Sequence, residues 1–299
     1  MVNWLEYAPV WIVIQGLSIL PRPLARAAAS CVAFATYVLF PRLRRVGLRN
    51  LELAFPEMSA RDRRCILRGV FVSLGRLLAE IPKFSSYSPA NVDHYAIYDG
   101  FENFERARGR GKGVVFMTAH LGGWEVGSFV HSLHGNPLHV VMRALDNPYL
   151  DAYTRRLRTL HGNLLIDKDE FARGVLGALR KGDTVGVLMD TNMLAGEGEF
   201  VDFFGTPAST TTAVARLAMR TDAAVVPAFT IWDKNLRKYR IHFEPMIPTV
   251  RTGDDNADAL ANTARYTKAI EEMIRRYPDQ WLWVHRRWKT RPPGQPPIY

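Results

Sequence analysis

The sequence predicts an α/β fold: a mixed, mostly parallel sheet covered by helices, behind hydrophobic N-terminal helices that anchor the chain to a membrane. Two patterns carry that reading. From residue 100 onward, short β-rich runs alternate with helix-like stretches, as in a sheet built from helical crossovers. Before them, two uncharged apolar runs end in a cluster of arginines. A third observation points to function. His120, Arg143 and Asp190 stand where three β-rich runs stop, and open α/β sheets bind ligands beyond the carboxyl ends of their strands.

Composition sets the outer limits. The chain has 299 residues, 47% hydrophobic and 23% charged, which excludes a disordered chain, a disulfide miniprotein and a collagen-like repeat. That length suffices for one large domain or two modest ones. The formal charge of +10 is unevenly placed. Residues 1–50 hold six Arg against one Glu, residues 275–299 hold five Arg and one Lys against one Asp, and the middle is neutral. A nucleic-acid protein carries its basic stripe across the working domain; charge at the two ends suits an anionic membrane surface or phosphate-bearing substrates. Cys31 and Cys65 belong to no CxxC, and two thiols alone cannot complete a zinc cage; they read as buried, reduced thiols.

Residues 8–20 (APVWIVIQGLSIL) and 27–40 (AAASCVAFATYVLF) lack charge and are interrupted by Pro21-Arg22-Pro23. Each is shorter than the roughly 20 residues of a perpendicular span. The first 20 residues lack the basic n-region of a signal peptide. Arg42, Arg44, Arg45 and Arg49 follow at once, a cluster that stays on the cytoplasmic side and attracts anionic headgroups. Residues 4–40 therefore read as an anchor, either one tilted span or a helical hairpin lying in the interface. The rival is a helix pair packed on the protein's own core. Residues 1–41 are assigned to the anchor and 42–299 to the main domain.

Helices are expected at 42–54 and 60–82, the second opened by a Ser59/Asp62 capping box. Beyond residue 100, strands are expected in GVVFMTAH, PLHVVMR, DTVGVLMD, AAVVPAFTIW and KYRIHFE, and helices in FENFERARG, 123–134, 149–161, 170–181, 210–220 and 257–276. His120 can act as a general base if a carboxylate orients its ring. Glu125 lies five residues on, reachable only if Gly122-Gly123 bends the chain into a new helix. His94 and Asp99 repeat that spacing without a glycine turn and read as surface. Arg143 can grip a phosphate or an oxyanion, or pair with Asp146. Asp190 can hold Arg143 or a lysine, or cap a turn. Phe203-Phe204-Gly205 forms an aromatic loop that lines an apolar groove or covers core. Trp281, Trp283 and Trp288, interleaved with Arg286, Arg287 and Lys289, suit a membrane interface, single-stranded nucleic acid or a packed strap.

Six ordered blocks resemble the bacterial lipid A biosynthesis acyltransferase family: RRVGLRNLELAFPE at 44–57, HLGGWE at 120–125, RALDNP at 143–148, VDFFGTPASTTT at 201–212, LAMRTDAAVVP at 217–227 and DQWLWVHRRWKTRP at 279–292. The resemblance spans nearly the whole chain. It implies a glycerolipid-acyltransferase-like fold in an inner-membrane enzyme facing the cytoplasm. Such an enzyme moves a fatty acyl group from acyl carrier protein, or acyl-CoA, onto a hydroxyl of a lipid acceptor, most readily a lipid A precursor. It implies no cofactor, no metal and no nucleic-acid partner. Carried over, His120 is the general base and Glu125 its orienting carboxylate, an HX4E motif. Arg143, Asn147, Asp190, Phe204 and Gly205 contact substrate, and backbone N–H groups at Gly122 and Gly123, or Arg143, stabilise the oxyanion. Thr191-Asn192 stand where the family usually has Gln after the acidic residue, and Thr230-Ile231-Trp232 where many members carry an arginine; both fall where acceptor headgroups are expected. Another membrane lipid as acceptor (a phosphoinositide mannoside or an aminolipid) and hydrolysis by a thioesterase or lipase using the same pair are the alternative enzymatic readings. A basic, Trp-rich binding module without turnover is the non-enzymatic one.

Overall fold

A computed structural model describes residues 2–299, Val2 by its backbone alone. Helices α1 (Val2–Ile19) and α2 (Arg22–Leu39) are separated at Leu20-Pro21, where proline withholds a backbone donor. On α2, Ala25, Ala29 and Ala33 repeat every fourth residue and are buried. This face lies on α4 (Ala60–Glu80), where Gly75 permits close approach: a Cβ there would sit 3.2 Å from the Ala29 carbonyl oxygen. Arg22 and Arg26 reach the buried Glu80 at 3.4 and 2.8 Å, and the Tyr87 hydroxyl donates to it at 3.0 Å. Burying one carboxylate under two guanidiniums clamps α2 to the body. The outward faces keep Trp4, Leu5, Ile12, Leu24, Phe34 and Leu39 exposed. Among the described residues no single helix is long and apolar enough to cross a membrane; α2 with α3 (Pro41–Ala54) has the composition but bends by 86°. One face of α2 thus packs on the protein's own body while the opposite apolar residues stay exposed.

The sheet has seven strands in the order β1-β9-β8-β2-β5-β3-β4: β1 (Ala96–Asp99), β2 (Val114–Thr118), β3 (His139–Met142), β4 (Leu164–Asp167), β5 (Thr184–Leu188), β8 (Ala224–Asp233) and β9 (Lys238–Phe243). All neighbours are parallel except β8 and β9. Helices α5 (Phe101–Arg108), α6 (Trp124–Leu133), α7 (Pro148–Arg158), α8 (Phe171–Arg180), α9 (Ala213–Thr221) and α10 (Asp255–Arg276) complete the layers. β2 shows why both faces are covered. Val115 and Met117 join the core cluster with α8–α10, while Val114 and Phe116 join the one with α5 and α6.

The five expected strands and the eight helices expected beyond residue 41 are present, and Ser59 caps α4 by accepting the Asp62 N–H at 3.2 Å. β1 and β4, four residues each, went unforeseen because so short a run shows no period. The aromatic loop at 203–205 is instead the tight turn of a separate hairpin, β6 (Glu199–Phe203) with β7 (Thr206–Thr210). The C-terminal residues 281–291 form a strap past the carboxyl ends of β2 and β5. Trp281, Trp283 and Trp288 are fully buried, which removes them from any membrane interface or nucleic-acid surface. Cys31 and Cys65 are exposed, contrary to the expected burial.

Candidate active site

Strand register builds the centre of the site. β2 pairs with β5 so that Val114 faces Thr184 and Thr118 faces Leu188, and the Met189 N–H continues the ladder to the Thr118 carbonyl at 3.0 Å. Two steps beyond each strand, His120 and Asp190 therefore emerge side by side. His120 Nδ1 lies 2.9 Å from Asp190 Oδ1, and the His120 backbone N–H donates to Asp190 Oδ2 at 2.8 Å. The Trp281 indole N–H donates to the same Oδ2 at 2.7 Å. A carboxylate only accepts, so the imidazole proton sits on Nδ1 and Nε2 presents a lone pair. Nε2 has no hydrogen-bond partner among the described residues.

Burial alone raises a carboxyl's pKa, yet the His120 charge and the hydrogen bonds from His120 and Trp281 hold Asp190 well below the usual carboxylate range. Burial alone lowers an imidazole's; for His120 the Asp190 charge and hydrogen bond, aided by Glu125, outweigh it and the pKa is raised. The pair is a buried anion steadying an imidazole that can accept a proton.

In this structure the carboxylate hydrogen-bonded to the His120 ring is Asp190, not the expected Glu125. Gly122 and Gly123 do bend the chain into α6, as expected, but Glu125 in its first turn is gripped by Arg158 of α7, whose Nε donates at 3.0 Å and whose Nη2 also donates. Nor are the turn's amides free to bind an oxyanion: Gly122 N–H donates to Gln280 O at 3.0 Å and Gly123 N–H to Thr230 O at 2.8 Å. The turn needs glycine, because Gly122 has φ +60° and a Cβ there would lie 2.2 Å from the Thr230 oxygen.

The remaining expected contacts scatter. Arg143 is exposed and paired with Asp146 at 2.6 Å. Asn147 is buried as the cap of α7, accepting from Tyr149 N–H at 3.1 Å, while its amide donates to Asn3 O at 2.6 Å. Phe204 and Gly205, at φ +56° and +76°, make the two-residue turn of the β6–β7 hairpin. The Phe204 ring is buried against Phe55 and Trp283, and its N–H donates to Glu271 at 2.8 Å, so it is core and lines no groove. His94 and Asp99 do not pair; Asp99 takes His242 at 2.8 Å.

A largely apolar slot, which His120 does not itself line, runs between α6 and the sheet, walled by Phe116, Val140, Leu188, Ile241 and Phe243. Glu125 and Arg158, each with 17% of its side chain exposed, border it, as does Trp124, whose ring stands edge-on 5.3 Å from that of His120. His131, in the wall, is driven down to about 3 by burial and so stays neutral. Thr230, where many members of the family were expected to carry an arginine, is buried in this wall.

Sequence reasoning missed Arg158, Trp281 as a partner of Asp190, and His285. The strap carries the last two: Leu282 N–H donates to His120 O at 3.0 Å, and Asn192 N–H donates to His285 Nε2 at 3.1 Å, which leaves the proton on His285 Nδ1. One signal for the central pair was legible: GVVFMTAH and DTVGVLMD are β-rich runs of equal length, each ending on a titratable residue.

Fold and site together define a class, an α/β protein with a hydrogen-bonded histidine–aspartate pair at its strand ends near an apolar slot. Residues 1–290 match the family described as bacterial lipid A biosynthesis acyltransferase. The chain belongs to that family and is an acyltransferase. It is 28% identical over 298 residues to the lipid A biosynthesis palmitoleoyltransferase of Escherichia coli (strain K12), covering 99% of this chain and 94% of that one. The lauroyltransferase of the same organism gives the same figures, and its myristoyltransferase is 27% identical over 254 residues, 84% of this chain and 77% of that one.

Proposed function

We propose that this acyltransferase moves a fatty acyl group from a thioester donor, acyl carrier protein or CoA, to a hydroxyl of a lipid A precursor. The observation that carries the reading is the free Nε2 of an Asp190-bound His120, whose ring stands 5.3 Å from the Trp124 ring that lines an apolar slot. The acceptor oxygen attacks the thioester carbonyl carbon while Nε2 takes the hydroxyl proton. Asp190 steadies the imidazolium. The tetrahedral intermediate collapses, the carbon–sulfur bond breaks, and the thiolate leaves with the proton from Nε2. The acyl tail lies in the slot, which shields it from water. Arg158, tied to Glu125 through Nε and Nη2, keeps Nη1 without an acceptor among the described residues, and we assign it to the developing oxyanion. Glu125 acts as the positioning partner of Arg158.

The relatives named for lipid A support that acceptor. The exposed apolar faces of α1 and α2 support a membrane-bound enzyme, with residues 1–41 seated in the cytoplasmic face of the inner membrane and 42–299 carrying the chemistry.

The test is transfer of radiolabelled acyl from acyl carrier protein to a lipid A precursor in mixed micelles, with products weighed by mass spectrometry. His120→Ala is expected to lower the rate by a factor on the order of 10²–10⁴ with the fold intact. Undiminished transfer by His120→Ala overturns the base assignment. Free fatty acid in place of acylated lipid overturns transfer in favour of hydrolysis.

A further inference from the structure

Arg42, Arg45 and Arg49 lie at spacings of three and four on α3 and share one face. Arg286 of the strap and the C-terminal Tyr299 close over that face, and together they line a cleft of about 320 Å³. The four guanidiniums come from segments more than 200 residues apart, and among the described residues no Asp or Glu side chain lines the cleft. Arg49 reaches outward to Glu52 at 2.7 Å, whereas Arg42 and Arg45 have no acidic partner among the described residues. The convergence is held from behind. Asn50, fully buried on the same helix, donates to the carbonyls of Trp283 and His285, each at 2.7 Å, and accepts from the Tyr299 hydroxyl. Like charges so gathered repel, and an anion among them removes the repulsion.

The position of the cleft says what carries that anion. α3 follows directly on Leu39 and Phe40, both exposed, and turns from α2 by 86°. The guanidiniums thus stand where an apolar face ends and a charged one begins, the level of a headgroup beneath an acyl chain. Guanidinium forks match phosphate oxygens two at a time.

We propose that Arg42, Arg45, Arg49 and Arg286 form a binding site for the phosphate group of an anionic membrane lipid. The site rests on the membrane-facing reading of α1 and α2 and is independent of the chemistry at His120.

The full-length protein is floated with phosphatidylcholine vesicles, with and without one-fifth phosphatidylglycerol, at about 0.1 M salt, where exposed charges are screened beyond roughly 10 Å. Binding to neutral vesicles reports α1 and α2; the added affinity for anionic ones reports the cleft. Arg45→Gln with Arg286→Gln is expected to lower that added affinity about tenfold while leaving neutral binding and Tm unchanged. Arg45→Lys with Arg286→Lys is expected to retain most of it. Arg216→Gln with Arg220→Gln removes equal charge from a different cleft and is expected to retain all of it. An equal loss in that control, or no loss in the cleft variant, overturns the proposal. So does displacement from anionic vesicles by inorganic phosphate at equal phosphate concentration, which would make the cleft a free-anion site. Failure to bind any vesicle overturns the membrane reading instead.

Discussion

His120 gains its basicity from a residue 70 positions away. Because its pKa is raised above 6.5, the neutral base predominates only at higher pH, so the rate should climb through a pKa above that value. Asp190→Asn removes the charge that raises it. The acid limb of kcat/KM is expected to move to lower pH and kcat to fall, as a pH profile of both enzymes would record. Stability carries the same linkage. The depressed Asp190 stabilises above about pH 3.8, an advantage lost as pH falls through its folded pKa. The raised His120 stabilises below about 6.5, an advantage lost as pH rises through its folded pKa. The Tm difference between wild type and Asp190→Asn should therefore be largest between those two values. Gly122 is the other residue without a substitute. Ala there meets a carbonyl oxygen at a positive φ, and a loss of about 2–4 kcal/mol is expected in urea unfolding.

At the scale of elements, the strap matters more than its place at the chain's end suggests. It binds the His120 carbonyl through Leu282, Asp190 through Trp281, and the loop after Asp190 through His285 and the buried Arg287, which donates to Thr191 O at 3.2 Å. Arg287 lies wholly inside, its pKa lowered to about 10 by burial, and donates to two carbonyls and the Thr210 hydroxyl rather than to a carboxylate. Trp281→Phe keeps most of the ring's packing and deletes one donor to a buried anion. A stability loss of about 1.5–3 kcal/mol is expected, with a lowered kcat because Asp190 is freer to turn. A KM unchanged beside the lower kcat would distinguish loss of positioning from loss of substrate binding. The β6–β7 hairpin explains the fate of the aromatic block. Its turn holds a phenylalanine at positive φ, tolerated because Glu271 binds the Phe204 N–H and Arg275 lies 4.6 Å over the ring centre.

At the scale of the molecule, two helices with exposed apolar faces, a basic cleft and a strand-end histidine–aspartate pair are carried by one chain whose positive charge lies at its two ends. Phe34→Glu with Leu39→Glu places charge on the exposed face of α2 and should weaken binding to neutral vesicles by about tenfold or more, with Tm unchanged since neither side chain is buried. Flotation and a thermal melt check both halves.

By itself the sequence determined the layered α/β plan, the glycine turn after the first long strand, the histidine and the aspartate as candidates, and the apolar and arginine-rich entry to the chain. Those are local properties: hydrophobic period, capping, backbone freedom and charge density are written in neighbouring residues. Only the tertiary structure decided which carboxylate meets His120, that Glu125 belongs to Arg158, that Asn147 and Phe204 serve the scaffold, and that three tryptophans are buried. Partnership across a parallel sheet depends on strand order and register, and these are set by contacts between segments far apart in the chain.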